Sequence, residues 1–287
     1  MKIQWYPGHM TKARRDMADD IKLIDLMIEL VDARIPVSSR NPDIDKLAGG
    51  KARLILLNKS DLADEAANNR WVKYFESRGI GAVKLDSRKK ADMKAVKSVI
   101  DRVCTDKKEK DRRKGIMNRP VRAMVAGIPN VGKSTFINSF AGKSCARTGN
   151  KPGVTKGRQW IRLNKDVELL DTPGILWPRF DDETVGTNLA FVGSINDRII
   201  NITELSCELI SFLKEKYAGA LSGRYSVDES RTPDVLLDNI AVSRGCIRKG
   251  GESDIDKAAA IVIDDFRSGR LGRISLEVPG QEDEQHD

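Results

Sequence analysis

The stretch that decides the fold runs from Val121 to Ser134 and reads VRAMVAGIPNVGKS. Its first six residues, Val121–Ala126, are apolar enough for a buried strand, and the rest matches GxxxxGK[ST], the spacing of a loop that wraps a phosphate. Glycines let backbone N–H groups approach a phosphate closely, and the helix that follows adds a favourable dipole. A chance match in a chain of this length has a probability on the order of 1%. We therefore predict a strand, a phosphate loop and a helix in succession.

Particular roles follow for the loop residues. Lys133 is predicted to bridge the β- and γ-phosphates of a nucleotide, and the Ser134 hydroxyl to ligate Mg²⁺. Asn130 has two open interpretations: a side-chain ligand of K⁺, which some nucleotide hydrolases with Asn at this place use, or a brace for the loop. Pro129 brings an apolar side chain near the γ-phosphate. The predicted phosphate contacts are Gly127, Pro129, Asn130, Val131, Gly132, Lys133, Ser134 and Thr135, joined by Gly174 further along the chain.

A second motif indicates which base the nucleotide carries. The sequence Asn58-Lys59-Ser60-Asp61 follows the predicted strand Arg53–Leu57, at the carboxyl end where open α/β sheets bind ligands. A carboxylate at Asp61 accepts both the N1–H and the exocyclic amine of guanine, a donor pair that adenine lacks, so an ATPase is disfavoured. Asn58 is predicted to read the other edge of the base or to brace the loop, and the stem of Lys59 to lie along the ring.

The end of the following strand extends the same predicted site. Asp86 and Ser87 come directly after Leu85, on the strand that follows the NKSD loop. Since the carboxyl ends of parallel strands meet at one edge of a sheet, these residues are expected beside Asn58 and Asp61. We predict that both belong to the guanine site, with the backbone N–H of Ser87 donating to the guanine oxygen.

Two further loops are predicted to respond to the nucleotide. Pro152-Gly153-Val154-Thr155 and Asp171-Thr172-Pro173-Gly174 follow the phosphate loop in the order expected of two nucleotide switch loops. Thr155 is expected to ligate Mg²⁺ only when a γ-phosphate is present, Asp171 to hold Mg²⁺ through water, and the Gly174 N–H to touch the γ-phosphate. Loss of that phosphate would release both loops.

The apolar patterns on either side indicate an α/β domain followed by a helical one. Short β-rich runs alternate with stretches of helical period as far as Pro178, which predicts a mostly parallel sheet covered on both faces. The predicted strands are Leu26–Val31, Arg53–Leu57, Ala82–Leu85, Val121–Ala126, Gln159–Leu163 and Val167–Leu170. The predicted helices are Pro42–Leu47, Glu65–Arg78, Ala91–Val103 and Lys133–Phe140. After Pro178, long apolar-periodic segments such as Glu183–Val192, Ile195–Tyr217 and Asp256–Phe266 predict a mainly helical second domain. The predicted domains are an N-terminal extension (1–20), the α/β domain (21–178), the helical domain (179–278) and an acidic, disordered tail (279–287).

Charge is unevenly distributed along the chain. The net charge of +8 divides into +16 for residues 1–178 and −8 for residues 179–287. The densest basic run, from Arg102 to Arg122, holds nine basic and three acidic residues, and is either a solvated helix end with a linker or a contact for nucleic acid. The candidate phosphate contacts are this run together with Lys12, Arg14 and Arg15. On the helical domain the corresponding candidates are Arg244, Arg248 and Lys249.

Composition excludes several other classes of protein. A hydrophobic fraction of 40% with 32% charged residues describes a globular chain. No apolar run approaches the roughly 18 residues of a membrane span, and the opening MKIQWYPGHMTKARRD lacks the apolar stretch of a secretory signal. The four cysteines, Cys104, Cys145, Cys207 and Cys246, lack CxxC spacing and are predicted to be reduced thiols. We therefore expect a cytoplasmic monomer with no membrane partner.

The order of the motifs is unusual, because the NKSD loop precedes the phosphate loop instead of following it. All the motifs must meet in one pocket, so we predict a circularly permuted Ras-like P-loop GTPase fold, with the basic run joining the original ends. With Trp5-Tyr6-Pro7-Gly8-His9-Met10 near the start and Asp32-Ala33-Arg34-Ile35-Pro36 after the first strand, the chain resembles the RbgA/YlqF family of ribosome biogenesis GTPases. The resemblance implies a cytoplasmic role in late assembly of the bacterial large ribosomal subunit, hydrolysis of GTP to GDP stimulated by the immature particle, and inhibition by guanosine tetraphosphate.

The group that activates water lies outside these motifs. Ras-like enzymes place a Gln directly after DxxG, but here Ile175 and Leu176 occupy that place and neither can orient water. Of the two histidines, His286 belongs to the acidic tail, which leaves His9, whose imidazole titrates near neutrality. The resemblance supports catalysis by His9. The alternative is an N-terminal segment that docks as a peptide and contacts RNA or packs on the domain.

Two hypotheses of different classes stay open on the sequence. In the first, an enzyme binds immature large-subunit RNA and proteins while GTP orders Thr155 and the Asp171–Ile175 loop, and hydrolysis resets it. In the second, a nucleotide-gated adaptor uses its acidic helical domain to bind a protein effector, and hydrolysis is incidental.

Overall fold

A computed structural model describes residues 18–117, 119–144, 160–170 and 183–280. These residues form two compact units, one of residues 18–170 with 277–280 and one of residues 183–276. The first unit contains a six-stranded sheet with helices, and the second is helical, so the predicted fold class is confirmed. Among the described helices, none has the length and apolar character needed to cross a membrane.

The sheet of the α/β unit contains all six predicted strands, with ends shifted by at most one residue. The strands are β1 (Leu26–Asp32), β2 (Ala52–Asn58), β3 (Gly81–Leu85), β4 (Val121–Ala126), β5 (Trp160–Arg162) and β6 (Val167–Leu170). They lie in the order β3-β2-β1-β4-β6-β5. Neighbouring strands are parallel except for β5, which is antiparallel to β6.

The place of β4 in the sheet establishes the circular permutation. This strand is fourth in the chain yet lies at the centre, between β1 and β6. If the chain began at β4, the spatial order would read 2-3-1-4-5-6, which is the order of a Ras-like domain. The loops after β2, β3 and β4, distant in sequence, therefore meet at the carboxyl edge of one sheet, where α/β folds bind ligands.

The central strand β1 is buried along its whole length, as expected for a parallel strand covered on both faces. Glu29 is its only charged residue before Asp32, and its side chain is 3% exposed. The Glu29 carboxylate accepts a hydrogen bond from Arg40 Nε at 3.2 Å and another from Arg53. A buried charge is tolerated when it is paired in this way, so Glu29 does not interrupt the strand.

The helices of the α/β unit include one that the sequence analysis did not predict. The helices are α1 (Pro42–Leu47), α2 (Glu65–Ser77), α3 (Asp92–Val103), α4 (Thr105–Arg113) and α5 (Lys133–Ala141). Between Arg102 and Arg122 the sequence leaves open a solvated helix end with a linker or a contact for nucleic acid, and the structure has a separate helix there, α4, with no buried residue. Its sequence is rich in helix formers, and Lys107 pairs with Asp111 one turn later at 2.6 Å. Helix propensity and ion pairs, including one from Lys107 to Asp25 at 3.3 Å, therefore support α4 in place of a buried face.

The helical unit contains five helices within residues 183–276. They are α6 (Glu183–Phe191), α7 (Ile202–Lys216), α8 (Ala220–Tyr225), α9 (Pro233–Ser243) and α10 (Ile255–Arg267), with a 3₁₀ turn at Asp197–Ile199. The apolar-periodic segment Ile195–Tyr217 does not form one continuous helix, because two asparagine caps divide it. Asn196 Oδ1 accepts from Arg198 N–H at 3.1 Å, and Asn201 Oδ1 accepts from Glu204 N–H at 3.2 Å. Such caps favour a new helix start over continuation.

Glu277 belongs with the α/β unit. Its carboxylate accepts from the N–H groups of Val37 at 2.6 Å and Ser38 at 3.0 Å, and its own N–H donates to the Arg34 carbonyl at 3.3 Å. Trp71 Nε1 donates to the Glu277 carbonyl at 3.1 Å. Residues 281–287, which include most of the predicted tail, lie outside the described residues.

The described cysteines are free thiols, as predicted. Cys104 and Cys246 are buried and Cys207 is partly buried. Burial raises the pKa of Cys104 to about 11 and also raises the pKa of Cys207. Both are therefore protonated and poorly nucleophilic near neutral pH. Cys145 lies outside the described residues.

Candidate nucleotide site

The phosphate loop lies between β4 and α5, at the carboxyl edge of the sheet. A Cβ atom at Gly127 would lie 2.5 Å from the Leu30 carbonyl oxygen, so only glycine lets the loop pass this close to β1. Gly132 has a φ of 103°, and a Cβ atom there would clash with the Asn58 side chain. The backbone path therefore requires both glycines of the motif.

Lys133 is the first residue of α5, and its side chain folds back over the loop. Its Nζ donates to the carbonyls of Gly127 at 2.6 Å and Ile128 at 3.0 Å. Burial lowers the pKa of Lys133 to about 8. A phosphate placed between this ammonium and the free N–H groups at the start of α5 would supply a counter-charge and acceptors together.

Asn58 ties three loops together at the carboxyl edge. Its Nδ2 donates to the Val131 carbonyl at 2.6 Å, which joins the end of β2 to the phosphate loop. Its Oδ1 accepts from the N–H of Ser87 at 3.0 Å and from the Ser87 hydroxyl at 2.5 Å. Of the two roles predicted for Asn58, these contacts correspond to bracing the loop. The other role, reading the edge of the base, stays a prediction. The Ser87 N–H, predicted to face the guanine oxygen, is engaged by Asn58 in this structure.

Asp32, Arg34 and Lys59 form an ion cluster next to the NKSD loop. Arg34 pairs with Asp32 through Nη2 at 2.8 Å and Nε at 2.9 Å, and both side chains are 1% exposed. Lys59, whose backbone is left-handed with a φ of 57°, has its Nζ 3.1 Å from Asp32 Oδ2. Burial alone would raise the pKa of Asp32, but Arg34 and Lys59 more than offset this and hold it well below its usual range. The anionic Asp32 thereby fixes Lys59.

Asp61 and Asp86 lie on either side of one guanidinium. Arg88 Nη2 donates to Asp61 Oδ2 at 2.6 Å and to Asp86 Oδ2 at 2.9 Å, while Arg88 Nε donates to Asp86 Oδ1 at 2.8 Å. Hydrogen bonding by Arg88 lowers the pKa of Asp86. The other Asp61 oxygen, Oδ1, is buried and accepts no hydrogen bond from any described residue. Asp86, predicted to belong to the guanine site, is thus held by Arg88 here.

Sequence reasoning missed Arg88 and the clustering of Lys59 with Asp32. A signal for Arg88 was present, since a cation two residues after Asp86 follows a strand that adjoins the Asp61 loop. The Asp32-Ala33-Arg34 segment was noted only as a mark of the resembled family. Its link to Lys59 depends on the pairing of β1 with β2, which brings Asp32 opposite Asn58.

The observed residues fit a guanine nucleotide. The unpartnered Oδ1 of Asp61 needs a donor, which guanine N1–H can provide, and a buried acceptor left without one costs roughly 1–3 kcal/mol. Within the described ranges, no three His, Cys, Asp or Glu side chains are grouped to hold a metal.

Four predicted site residues lie outside the described residues: His9, Thr155, Asp171 and Gly174. The same is true of Ile175 and Leu176, on which the argument for His9 depends. Their roles stay predictions.

A phosphate loop and an NKxD loop that meet at one edge of a permuted Ras-like sheet define a P-loop GTPase. Residues 122–224 match the family described as MMR_HSR1, 50S ribosome-binding GTPase. The chain is 45% identical to Ribosome biogenesis GTPase A of Bacillus cereus, covering 99% of this chain and 97% of that protein. This shows that the chain belongs to the ribosome biogenesis GTPase A family and hydrolyses GTP.

Two solved structures agree with this assignment. A GDP-bound structure of TM YlqF is 26% identical, with a TM-score of 0.68, covering 92% of this chain and 99% of that one. A GNP-bound YlqF from T. maritima is 28% identical, with a TM-score of 0.66, covering 93% of this chain and 98% of that one.

Proposed function

We propose that this protein is an assembly factor for the large ribosomal subunit, which binds the immature particle in a nucleotide-dependent way and hydrolyses GTP when the particle stimulates it. The observation that carries the proposal is the similarity to a relative named Ribosome biogenesis GTPase A over 99% of the chain. The family description, 50S ribosome-binding GTPase, favours the large subunit. The protein acts as a monomer in the cytoplasm.

A basic surface on the α/β unit supports an RNA partner. Lys110, Arg112 and Lys114 are exposed on α4 and the turn after it, and in the described part of the chain none of them forms a salt bridge within 4.0 Å. Lys107 of the same helix lies 3.3 Å from Asp25, directly before β1. This contact puts α4 at the amino edge of the sheet, opposite the nucleotide site. RNA and nucleotide would therefore bind to opposite edges.

The proposed chemistry uses both described and undescribed residues. Lys133 bridges the β- and γ-phosphates, and GTP orders Thr155 and the Asp171–Ile175 loop, whose Gly174 N–H touches the γ-phosphate. Mg²⁺ would be held by Ser134, Thr155 and Asp171, and when bound it neutralises charge on the transferring phosphate. Asn130 is the proposed K⁺ ligand, and its left-handed backbone, with a φ of 60°, is one that Asn tolerates well.

His9 is the proposed catalytic group. Its imidazole would orient the attacking water, a task that Ile175 cannot perform. The N-terminal segment would bring His9 to the γ-phosphate when the immature particle is bound, which explains why the particle stimulates hydrolysis.

The proposal is tested by GTPase assays with immature and mature large subunits. We expect the immature subunit to stimulate the wild-type enzyme at least tenfold more than the mature one. His9→Ala should lose this stimulation, by roughly 10²-fold or more, while its GDP affinity stays within twofold. His286→Ala is the matched control and should behave as wild type. Equal rates with both subunits would refute the assembly role, and retained stimulation in His9→Ala would refute catalysis by His9.

The K⁺ ligand is tested separately. GTPase rates measured in potassium and in sodium at equal ionic strength should differ for the wild type and converge for Asn130→Ser. Equal wild-type rates in the two salts would contradict the proposed K⁺ site.

One observation favours a second function, a nucleotide-gated adaptor that binds a protein. The helical unit exposes Val235, Val242 and Ile247 at 41%, 60% and 47% of their surface. Arg248, one of its three candidate RNA contacts, is paired with Asp254 at 3.3 Å and Asp256 at 3.0 Å. In this case Val242→Asp would abolish capture of a protein partner, and His9→Ala would leave the biological activity intact.

A further inference from the structure

We propose that Arg88 is a positioning residue for guanine recognition, which acts through Asp61 and is itself anchored by Asp86. The inference rests on the proposed role of Asp61 as the carboxylate that reads the base. Arg88 lies just after β3, and neither the NKSD motif nor the phosphate-loop motif predicts a cation there.

The first argument is electrostatic. Asp61 Oδ2 and Asp86 Oδ2 both accept from the single Nη2 of Arg88, at 2.6 and 2.9 Å, so these two carboxylates are close neighbours. Two adjacent carboxylates disfavour each other's charged form unless a cation lies between them. Guanine recognition requires Asp61 to be an ionised double acceptor. Arg88 therefore removes the repulsion that Asp86 would otherwise impose on Asp61.

The second argument concerns the rigidity of the anchor. The Asp86 side chain is 7% exposed, and its Oδ1 also accepts from the backbone N–H of Arg88 at 3.0 Å. The Asp86 N–H donates to Asp92 Oδ2, at the first residue of α3, at 2.8 Å. The Arg88 side chain is 69% exposed, but its planar fork is held at two points by this buried carboxylate. A fixed guanidinium can in turn fix the carboxylate plane of Asp61.

The third argument comes from the free acceptor positions. Arg88 occupies one position on Asp61 Oδ2, whereas the buried Oδ1 accepts from no described residue. Each carboxylate oxygen can accept two hydrogen bonds. With Oδ1 unpaired and one position left on Oδ2, Asp61 keeps the acceptor capacity that the guanine N1–H and exocyclic amine require while Arg88 stays bound.

The test compares dissociation constants of GDP and of inosine diphosphate, which lacks the exocyclic amine, in five full-length variants. Arg88→Ala should weaken GDP binding about five- to tenfold and reduce the preference for GDP over inosine diphosphate, because Asp61 turns away from the unscreened charge of Asp86 and no longer meets both donors. Arg88→Lys should recover part of this loss. Lys89→Ala removes a neighbouring exposed cation, 3.9 Å from Asp86, and should stay within twofold of wild type.

The fourth variant tests whether Arg88 acts by neutralising the charge of Asp86. Asp86→Asn combined with Arg88→Ala removes one of the two facing charges and should restore GDP affinity to within about threefold of wild type. If Arg88→Ala behaves like Lys89→Ala, or binds GDP more tightly, the proposal is overturned. If Asp86→Asn does not rescue, Arg88 acts on the nucleotide directly and the positioning role is wrong. Asp61→Asn is measured alongside, because unchanged GDP affinity there would instead refute the base-reading role of Asp61.

Discussion

The two edges of the sheet differ in how one carboxylate at each edge, Asp61 or Asp25, is paired. At the carboxyl edge, Asp61 Oδ1 lacks a described donor, and partial burial lowers the pKa of Lys133. At the amino edge, Asp25 Oδ2 accepts from Arg122 N–H at 3.0 Å and lies 3.3 Å from Lys107 Nζ. Unsatisfied buried groups cost stability and are retained where a ligand completes them. The unpaired acceptor of Asp61 therefore marks the carboxyl edge as the one that a ligand completes, whereas Asp25 at the amino edge is already paired by α4.

The largest effect should come from the carboxyl edge, at the base-reading carboxylate. Asp61→Asn replaces an acceptor pair by a donor and an acceptor, so it faces the guanine N1–H and amine with the wrong group. We expect a loss of GDP affinity of roughly 10²- to 10³-fold, since leaving buried polar groups unpaired discriminates strongly. Xanthosine diphosphate, which carries an oxygen in place of the amine, should bind the variant better than GDP does. Calorimetry with both nucleotides measures the change.

The same substitution at Asp64, three residues further along the chain, is the matched control for Asp61→Asn. Asp64 caps α2 by accepting from Ala67 N–H at 2.8 Å, and Asn is an equally good cap. Asp64→Asn should therefore leave GDP affinity within twofold. Equal losses of GDP affinity in Asp61→Asn and Asp64→Asn would mean that both changes distort the NKSD loop and that Asp61 does not read the base.

The next largest effect should come from the glycine of the phosphate loop. Gly132→Ala places a Cβ atom against Asn58 and also strains a φ of 103°. Because Asn58 braces three loops, we expect GDP affinity to fall at least tenfold and the melting temperature to drop. Gly142→Ala is the control: its φ is 68°, but a Cβ atom there meets nothing within 4 Å. It should lose about 1 kcal/mol of stability and keep its GDP affinity. Identical GDP affinities of Gly132→Ala and Gly142→Ala would show that the close approach of Gly132 to Asn58 is unimportant for nucleotide binding.

The contrast between the edges also explains what the sequence predicts well. The six strands follow from local apolar runs, and Gly127 and Gly132 follow from the demands of a phosphate loop, so each is visible in a short window. The meeting of the NKSD loop with the phosphate loop follows from the rule that α/β sheets bind ligands at carboxyl ends.

The remaining features depend on partners that are distant in sequence or on competing local signals. Asn58 bonds Val131 and Ser87, and no window that contains one residue contains the other two. Arg88 has a role only once β3 pairs with β2 and brings Asp86 beside Asp61. The break inside Ile195–Tyr217 was missed because apolar periodicity outweighed the signals of Asn196 and Asn201.

A smaller effect is expected at the amino edge, and it should be confined to RNA. Changing Lys110, Arg112 and Lys114 to Gln removes cations that no described salt bridge uses. We expect affinity for large-subunit RNA to fall about tenfold at physiological salt, and the slope of log affinity against log salt to decrease by about two to three. GDP affinity should not change, because the nucleotide binds at the other edge.

The control for this variant is the same charge change elsewhere on the unit. Arg70, Lys73 and Lys94 are exposed on α2 and α3, and changing them to Gln also removes three positive charges. This control should lose less than threefold of the RNA affinity. If both triple variants lose affinity equally, overall charge attracts the RNA and α4 is not a specific surface.

The smallest effect tests the electrostatics of the carboxyl edge itself. Lys133 titrates near pH 8 without nucleotide, and a bound phosphate raises that pKa, so GDP binding takes up a proton where free Lys133 is partly neutral. Affinity must therefore fall as pH rises through 8, by about fourfold between pH 7.0 and 8.5 for a pKa near 8. Calorimetry in two buffers of different ionisation enthalpy measures the number of protons taken up when GDP binds. Lys133→Arg stays charged throughout this range, so its affinity, although weaker, should show a flatter profile. An equally steep profile for Lys133→Arg would mean that another group takes up the proton.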